Sequence, residues 1–123
     1  MCNPNELPPR LLEKYSANEI NDVIEARAAN LGTRSKAKGF KKPDYGMPQI
    51  RSLLLQSGGI CPYTGNEFTL RGDRSFSIDR INNKKGYVLG NVVLVAWWAN
   101  RGKGEMSLTE YLSHIKYKHL EAA

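Results

Sequence analysis

Three observations predict an α+β fold. Two short strand-like runs, Phe76-Ser77-Ile78-Asp79-Arg80-Ile81 and Val92-Val93-Leu94-Val95, flank a loop bracketed by Gly86 and Gly90. Two capping boxes, Ser16-Ala17-Asn18-Glu19 and Ser107-Leu108-Thr109-Glu110, each open a run whose apolar residues recur at helical spacing. A chain of 123 residues with 41% apolar and 24% charged residues is suited to one modest core.

At the start, Pro8 and Pro9 precede Arg10-Leu11-Leu12. Proline is well placed in a first helical turn, where the amide it lacks has no partner anyway, so a short helix or turn is expected. After the first capping box, Ile20, Val23, Ile24, Ala28 and Leu31 share one helical face, and Gly32 supplies a left-handed stop, which predicts a helix over 17–31. Residues 33–42 carry five basic groups, no acid and one aromatic, too little apolar surface to pack. They read as a loop, either a solvated linker or an arm that tracks phosphates and stacks or wedges Phe40.

Pro48 opens a second helix with Ile50, Leu53 and Leu54 on one face, and Gly58-Gly59 ends it. Ile60-Cys61-Pro62-Tyr63-Thr64-Gly65 reads as a short extended piece stopped by turn residues. The 76–81 run alternates as a half-buried strand does, whereas the β-branched 92–95 run reads as a core strand. Residues 96–101 suit a short helix stopped by Gly102 and Gly104. Leu108, Tyr111, Leu112, Ile115 and His119 line a closing C-terminal helix. The chain thus divides into a helical extension with a basic loop, 1–45, and a strand-bearing part, 46–123.

Lys plus Arg number 18 against 12 Asp plus Glu, a net charge of +6, so the chain attracts polyanions, nucleic acid first among them. Its two cysteines, Cys2 and Cys61, do not make a disulfide framework and fit a reducing, cytoplasmic setting. No apolar run approaches the ~20 residues that span a bilayer, so no membrane role is expected. Met1-Cys2-Asn3-Pro4 does not open a signal peptide.

Asp79 stands mid-strand between apolar neighbours, where a carboxylate needs a positive partner. That partner is either Arg80 or Arg74 in an ion pair, or a divalent cation, which favours carboxylate, amide and phosphate oxygens. Asn91 follows Gly90 at the mouth of the second strand, where its side chain can bond backbone groups of the preceding loop. Asn100 is a mediocre helix former set beside Arg101 and Lys103, either a helix cap or a metal-ligating amide with phosphate-holding cations nearby.

As an ordered set, Cys61-Pro62-Tyr63-Thr64-Gly65, Ser77-Ile78-Asp79-Arg80-Ile81, Gly86-Tyr87, Gly90-Asn91-Val92 and Asn100-Arg101-Gly102-Lys103 resemble the HNH endonucleases, particularly small phage-type members. The resemblance covers residues 47–105. It implies a ββα-metal finger in the 46–123 part, with strand, loop, strand and helix around one divalent ion, Mg²⁺ or Mn²⁺. By the same resemblance Asp79 is the metal-binding carboxylate, Asn91 the loop-fixing asparagine, Asn100 the second metal ligand and Lys103 a phosphate contact.

One position departs from the pattern. The residue after the first-strand aspartate is usually the histidine that activates water, and here it is Arg80, which stays protonated and cannot act as a base. It can bind the scissile phosphate or stabilise developing charge. Tyr87, Tyr63, His114 and His119 are the substitutes; Tyr87 would face the ion from the loop, and His119 lies on the apolar face of the last helix. The two Cys-x-x-Cys pairs that many HNH proteins carry are missing, so a Cys-rich zinc site is excluded by counting. Trp97 and Trp98 read as core and helix-packing residues, with base stacking the lesser alternative.

These residues lead to a metal-dependent DNA endonuclease acting on duplex or branched DNA, in the cytoplasm of a host cell if phage-encoded. The cations expected on the nucleic acid are Arg34, Lys36, Lys38, Lys41, Lys42, Arg80, Lys84, Lys85, Arg101 and Lys103. Two alternatives remain: a catalytically degenerate HNH-fold module that binds DNA or acts as an inhibitor or regulator, and a module that binds a protein partner through its basic face.

Overall fold

A computed structural model describes residues 6–103 together with 110 and 113. The chain is α+β, in the order α1 (Pro9–Leu12), α2 (Ala17–Ala37), α3 (Met47–Ser57), β1 (Phe76–Arg80), β2 (Val92–Ala96) and α4 (Trp97–Lys103). The C-terminal helix expected from the second capping box lies outside the described residues, as do His114 and His119.

The first capping box closes α2 as its residue types dictate. Ser16 Oγ accepts from the Glu19 amide at 3.1 Å, and the Glu19 carboxylate accepts from the Ser16 amide at 3.1 Å. At the other end the helix departs from the reading, running through Gly32 to Ala37 and absorbing half of the expected basic loop. Gly32 keeps an ordinary helical backbone, and the left-handed stop falls at Gly39, φ 74°. Leu31 and Ser35, one turn apart, are both buried, so packing carries the helix past the glycine. A Cβ on Gly32 would meet nothing within 4 Å. Gly32→Ala is therefore expected to stabilise the protein by about 0.5–1 kcal/mol in a denaturant titration, whereas a loss of stability would contradict the helical assignment.

Helix α3 follows its sequence signals. Pro48 lies in its first turn, the Gly46 amide donates to Gln49 Oε1 at 2.9 Å, and Gly58 ends it at φ 66°. Ile60 makes an isolated bridge with Glu67, but a turn follows at once, so the expected extended piece is one residue of pairing and a turn.

The two strands pair antiparallel, with Phe76 opposite Ala96 and Asp79 opposite Val93. All five β1 residues are buried, unlike the half-buried strand that the alternation suggested. Phe76 and Ile78 enter the core, and the polar Ser77 and Asp79 are roofed over: Asn100 donates to Ser77 Oγ at 2.6 Å and the Tyr63 hydroxyl to Asp79 at 3.3 Å. A two-stranded sheet also leaves outward carbonyls on each edge. On β1 these are met by side chains of α2, with Arg27 Nε donating to the Phe76 carbonyl at 2.9 Å and Arg34 reaching the Ile78 carbonyl at 3.5 Å.

One core joins both parts of the chain, drawing Leu11, Ile20, Ile24 and Leu31 together with Ile50, Leu54, Phe68, Phe76, Ile78 and Val95. Among the described residues no helix is long and apolar enough to cross a membrane.

Candidate functional site

The strand-loop-strand-helix unit is held by two side chains. Asn91 bridges the ends of the 82–90 loop. Its Oδ1 accepts from the Asn82 amide at 2.8 Å, and its Nδ2 donates to the Asn82 and Gly86 carbonyls at 3.1 and 2.9 Å. Arg80 reaches into the same loop, donating to the Asn83 carbonyl at 2.6 Å and the Lys85 carbonyl at 3.2 Å. Its guanidinium carbon lies 5.0 Å from the Phe40 ring centroid and 5.6 Å from that of Tyr87. Phe40, read as part of either a solvated linker or an arm that stacks or wedges it, is half-buried, and a Cβ on Gly86 would stand only 3.1 Å from it.

Arg80 is thus a clamp with its donors turned to carbonyls and its plane against rings. Lysine keeps the charge but has neither the fork nor the flat face. Arg80→Lys is expected to cost about 2 kcal/mol, read as a lowered midpoint in urea; an unchanged midpoint would contradict the clamp.

An open cavity of about 700 Å³ lies between α2 and α4 over β1. Arg27, Asn30 and Arg34 of α2 and its C-cap residue Lys38, at spacings of three and four, form one stripe along it. Ser77, Ile78, Asp79 and Arg80 contribute from β1, Asn83 from the loop, and Trp97, Asn100 and Arg101 from α4. Five cationic side chains and two carboxylates, Asp73 and Asp79, border the space, so its charge favours an anion. Arg101 approaches Asp73 at 3.9 Å, with both side chains well exposed. Burial pulls the Arg27 pKa down from the usual arginine value, yet arginine keeps its charge at any ordinary pH.

Asp79 is only 7% exposed, with Tyr63 on one oxygen. The Asn100 amide is oriented by chemistry: a carbonyl can only accept, so the end 3.3 Å from the Ile78 carbonyl is Nδ2, leaving Oδ1 as the acceptor. Asp79 and Asn100 border the same open space, and a carboxylate and an amide oxygen are donor types that a hard divalent cation accepts. Among the described residues no three His, Cys, Asp or Glu side chains gather in a cluster, so a protein-only cage of such ligands is not built here.

The sequence-derived residues separate into groups. Asp79, Arg80, Asn100, Arg34, Lys38 and Arg101 share the cavity. Asn91 lies behind it in the loop. Lys36, Lys41, Lys42, Lys84 and Lys85 are exposed but not on its walls, and Lys41 lies 3.8 Å from Asp44. Lys103 ends the α4 backbone, with its side chain outside the described set. Tyr87 does not face the cavity: it is 1% exposed, its hydroxyl has no hydrogen-bond partner among the described residues, and its ring lies under Arg80 and Arg34. Sequence reasoning missed Arg27 and Asn30, although their spacing to Arg34 and Lys38 was readable. It also placed Trp97 in the core, and the residue is 45% exposed.

No family model matches the chain, and no curated protein or solved structure matches it significantly.

Proposed function

We propose that the chain is an HNH-like, metal-dependent DNA endonuclease whose β1, loop, β2 and α4 form a ββα-metal finger. The observation that carries this reading is the convergence of buried Asp79, Asn100 and a cationic stripe of α2 on one cavity. Asp79 and Asn100 are the residues that would hold Mg²⁺ or Mn²⁺. Such an ion supplies Lewis-acid stabilisation of the scissile phosphate and of the leaving 3′ oxygen. Arg34, Lys38 and Arg101 grip flanking phosphates, and Asn91 and Arg80 keep the loop rigid around β1. Arg80 takes no proton from the attacking water, and its bonds to loop carbonyls fit a positioning part better than a phosphate contact.

That same observation favours a second reading, a finger that binds DNA without cutting it. Incubation of supercoiled plasmid with Mg²⁺ or Mn²⁺, beside a gel shift in EDTA over a salt series, separates the two. The proposal expects nicking only with metal and affinity that falls steeply with salt. Salt-sensitive binding with no nicking under any divalent ion selects the binding module. Absence of both overturns both and selects a protein partner on the basic face.

A further inference from the structure

We infer that Trp97 is a stacking platform for an unpaired nucleobase, which makes the preferred ligand a DNA strand with at least one base out of the duplex. The inference rests on the nucleic-acid reading above and adds a substrate class to it. Residues 97, 100 and 101 of α4 fall on one helical face, and all three border the cavity. The intervening Ala99 is fully buried and Trp98 packs against the core, so the helix spends one tryptophan on packing and presents the other to the cavity. Trp97 is held at its backbone, where its amide donates to the Ser75 carbonyl at 2.8 Å.

Trp97 is 45% exposed beside a cavity bordered by five cations, so its ring offers a flat apolar face next to charge that attracts phosphates. A nucleobase has that face, and the phosphates on either side of it match the Arg101 and α2 cations. Paired bases inside a duplex keep both faces against their neighbours. A base must therefore leave the stack before it can lie on Trp97, and this sets the preference for unpaired strands.

The test is affinity in EDTA for fluorescein-labelled (dT)12, the same length of blunt duplex, and (rU)12. Wild type and the Trp97→Ala and Trp97→Phe variants are compared at one salt concentration. Trp97→Ala is expected to weaken (dT)12 binding about tenfold, with duplex affinity changed less than about twofold, since one base stacked on an aromatic is worth about that much. Trp97→Phe should recover most of the loss. A circular-dichroism melt shows whether each variant is folded.

Equal losses on single strand and duplex, unchanged (dT)12 binding by Trp97→Ala, or failure of wild type to bind either DNA would overturn the inference. So would a tryptophan effect seen with (rU)12 alone. Because these titrations contain no metal, the endonuclease reading can fail on plasmid nicking while the stacking result stands, and the reverse holds equally.

Discussion

Asn91→Ala is expected to lower the unfolding free energy by about 3 kcal/mol, because each of the three hydrogen bonds it removes is worth about 1 kcal/mol net. The bonds tie the backbone at Asn82 to that at Gly86, and the side chain is almost fully buried, so water does not freely replace it. In a domain of this size that corresponds to a fall in Tm of roughly 10 °C. Asn91→Asp should be at least as damaging, since it keeps the acceptor for the Asn82 amide but turns a carboxylate oxygen toward two carbonyls. A melt of either variant that overlays the wild type would show that the loop is held by something else.

The local parts of this fold were legible because they are built from short-range chemistry. The Ser16 and Glu19 capping box, Pro48 and Gly58 around α3, and the β-branched run of β2 each lie where the residue types place them. The extension of α2 past Gly32 was not legible. Its reason is long-range: Arg27 and Arg34 cap outward carbonyls of β1, some 45 residues away, so a stripe that looks solvated in sequence has a partner only in the fold. The full burial of β1 has the same origin, because Tyr63 and Asn100 arrive from a turn and from a helix that alternation within the strand cannot foretell.

At the site, residue types were readable and directions were not. Asp79 and Asn100 share a cavity, and Asn91 sits in the loop its neighbours suggested. Tyr87, by contrast, lies behind the cavity wall, and Arg80, although it borders the cavity, turns its guanidinium to the Phe40 and Tyr87 rings and to two loop carbonyls. Which of Trp97 and Trp98 faces outward depends on where β2 hands over to α4. That junction lies one residue beyond the strand run read from sequence, at Ala96.

Asp79→Asn carries the largest expected effect, a fall of about a thousandfold or more in plasmid nicking, since metal stabilisation of the phosphate is worth several kcal/mol and each 1.36 kcal/mol is tenfold. The variant keeps the shape of the side chain and an oxygen for the Tyr63 hydroxyl, so the fold is expected to hold. It also removes one of two carboxylates from a cavity bordered by five cations, so DNA affinity in EDTA should be equal or higher. The decisive measurement is nicking of supercoiled plasmid by wild type and Asp79→Asn at matched DNA occupancy with Mn²⁺. Open circles formed by wild type and not by the variant are the predicted result; equal nicking by both, or none by wild type with any divalent ion, would contradict the assignment of Asp79 and Asn100 to a metal-dependent cut.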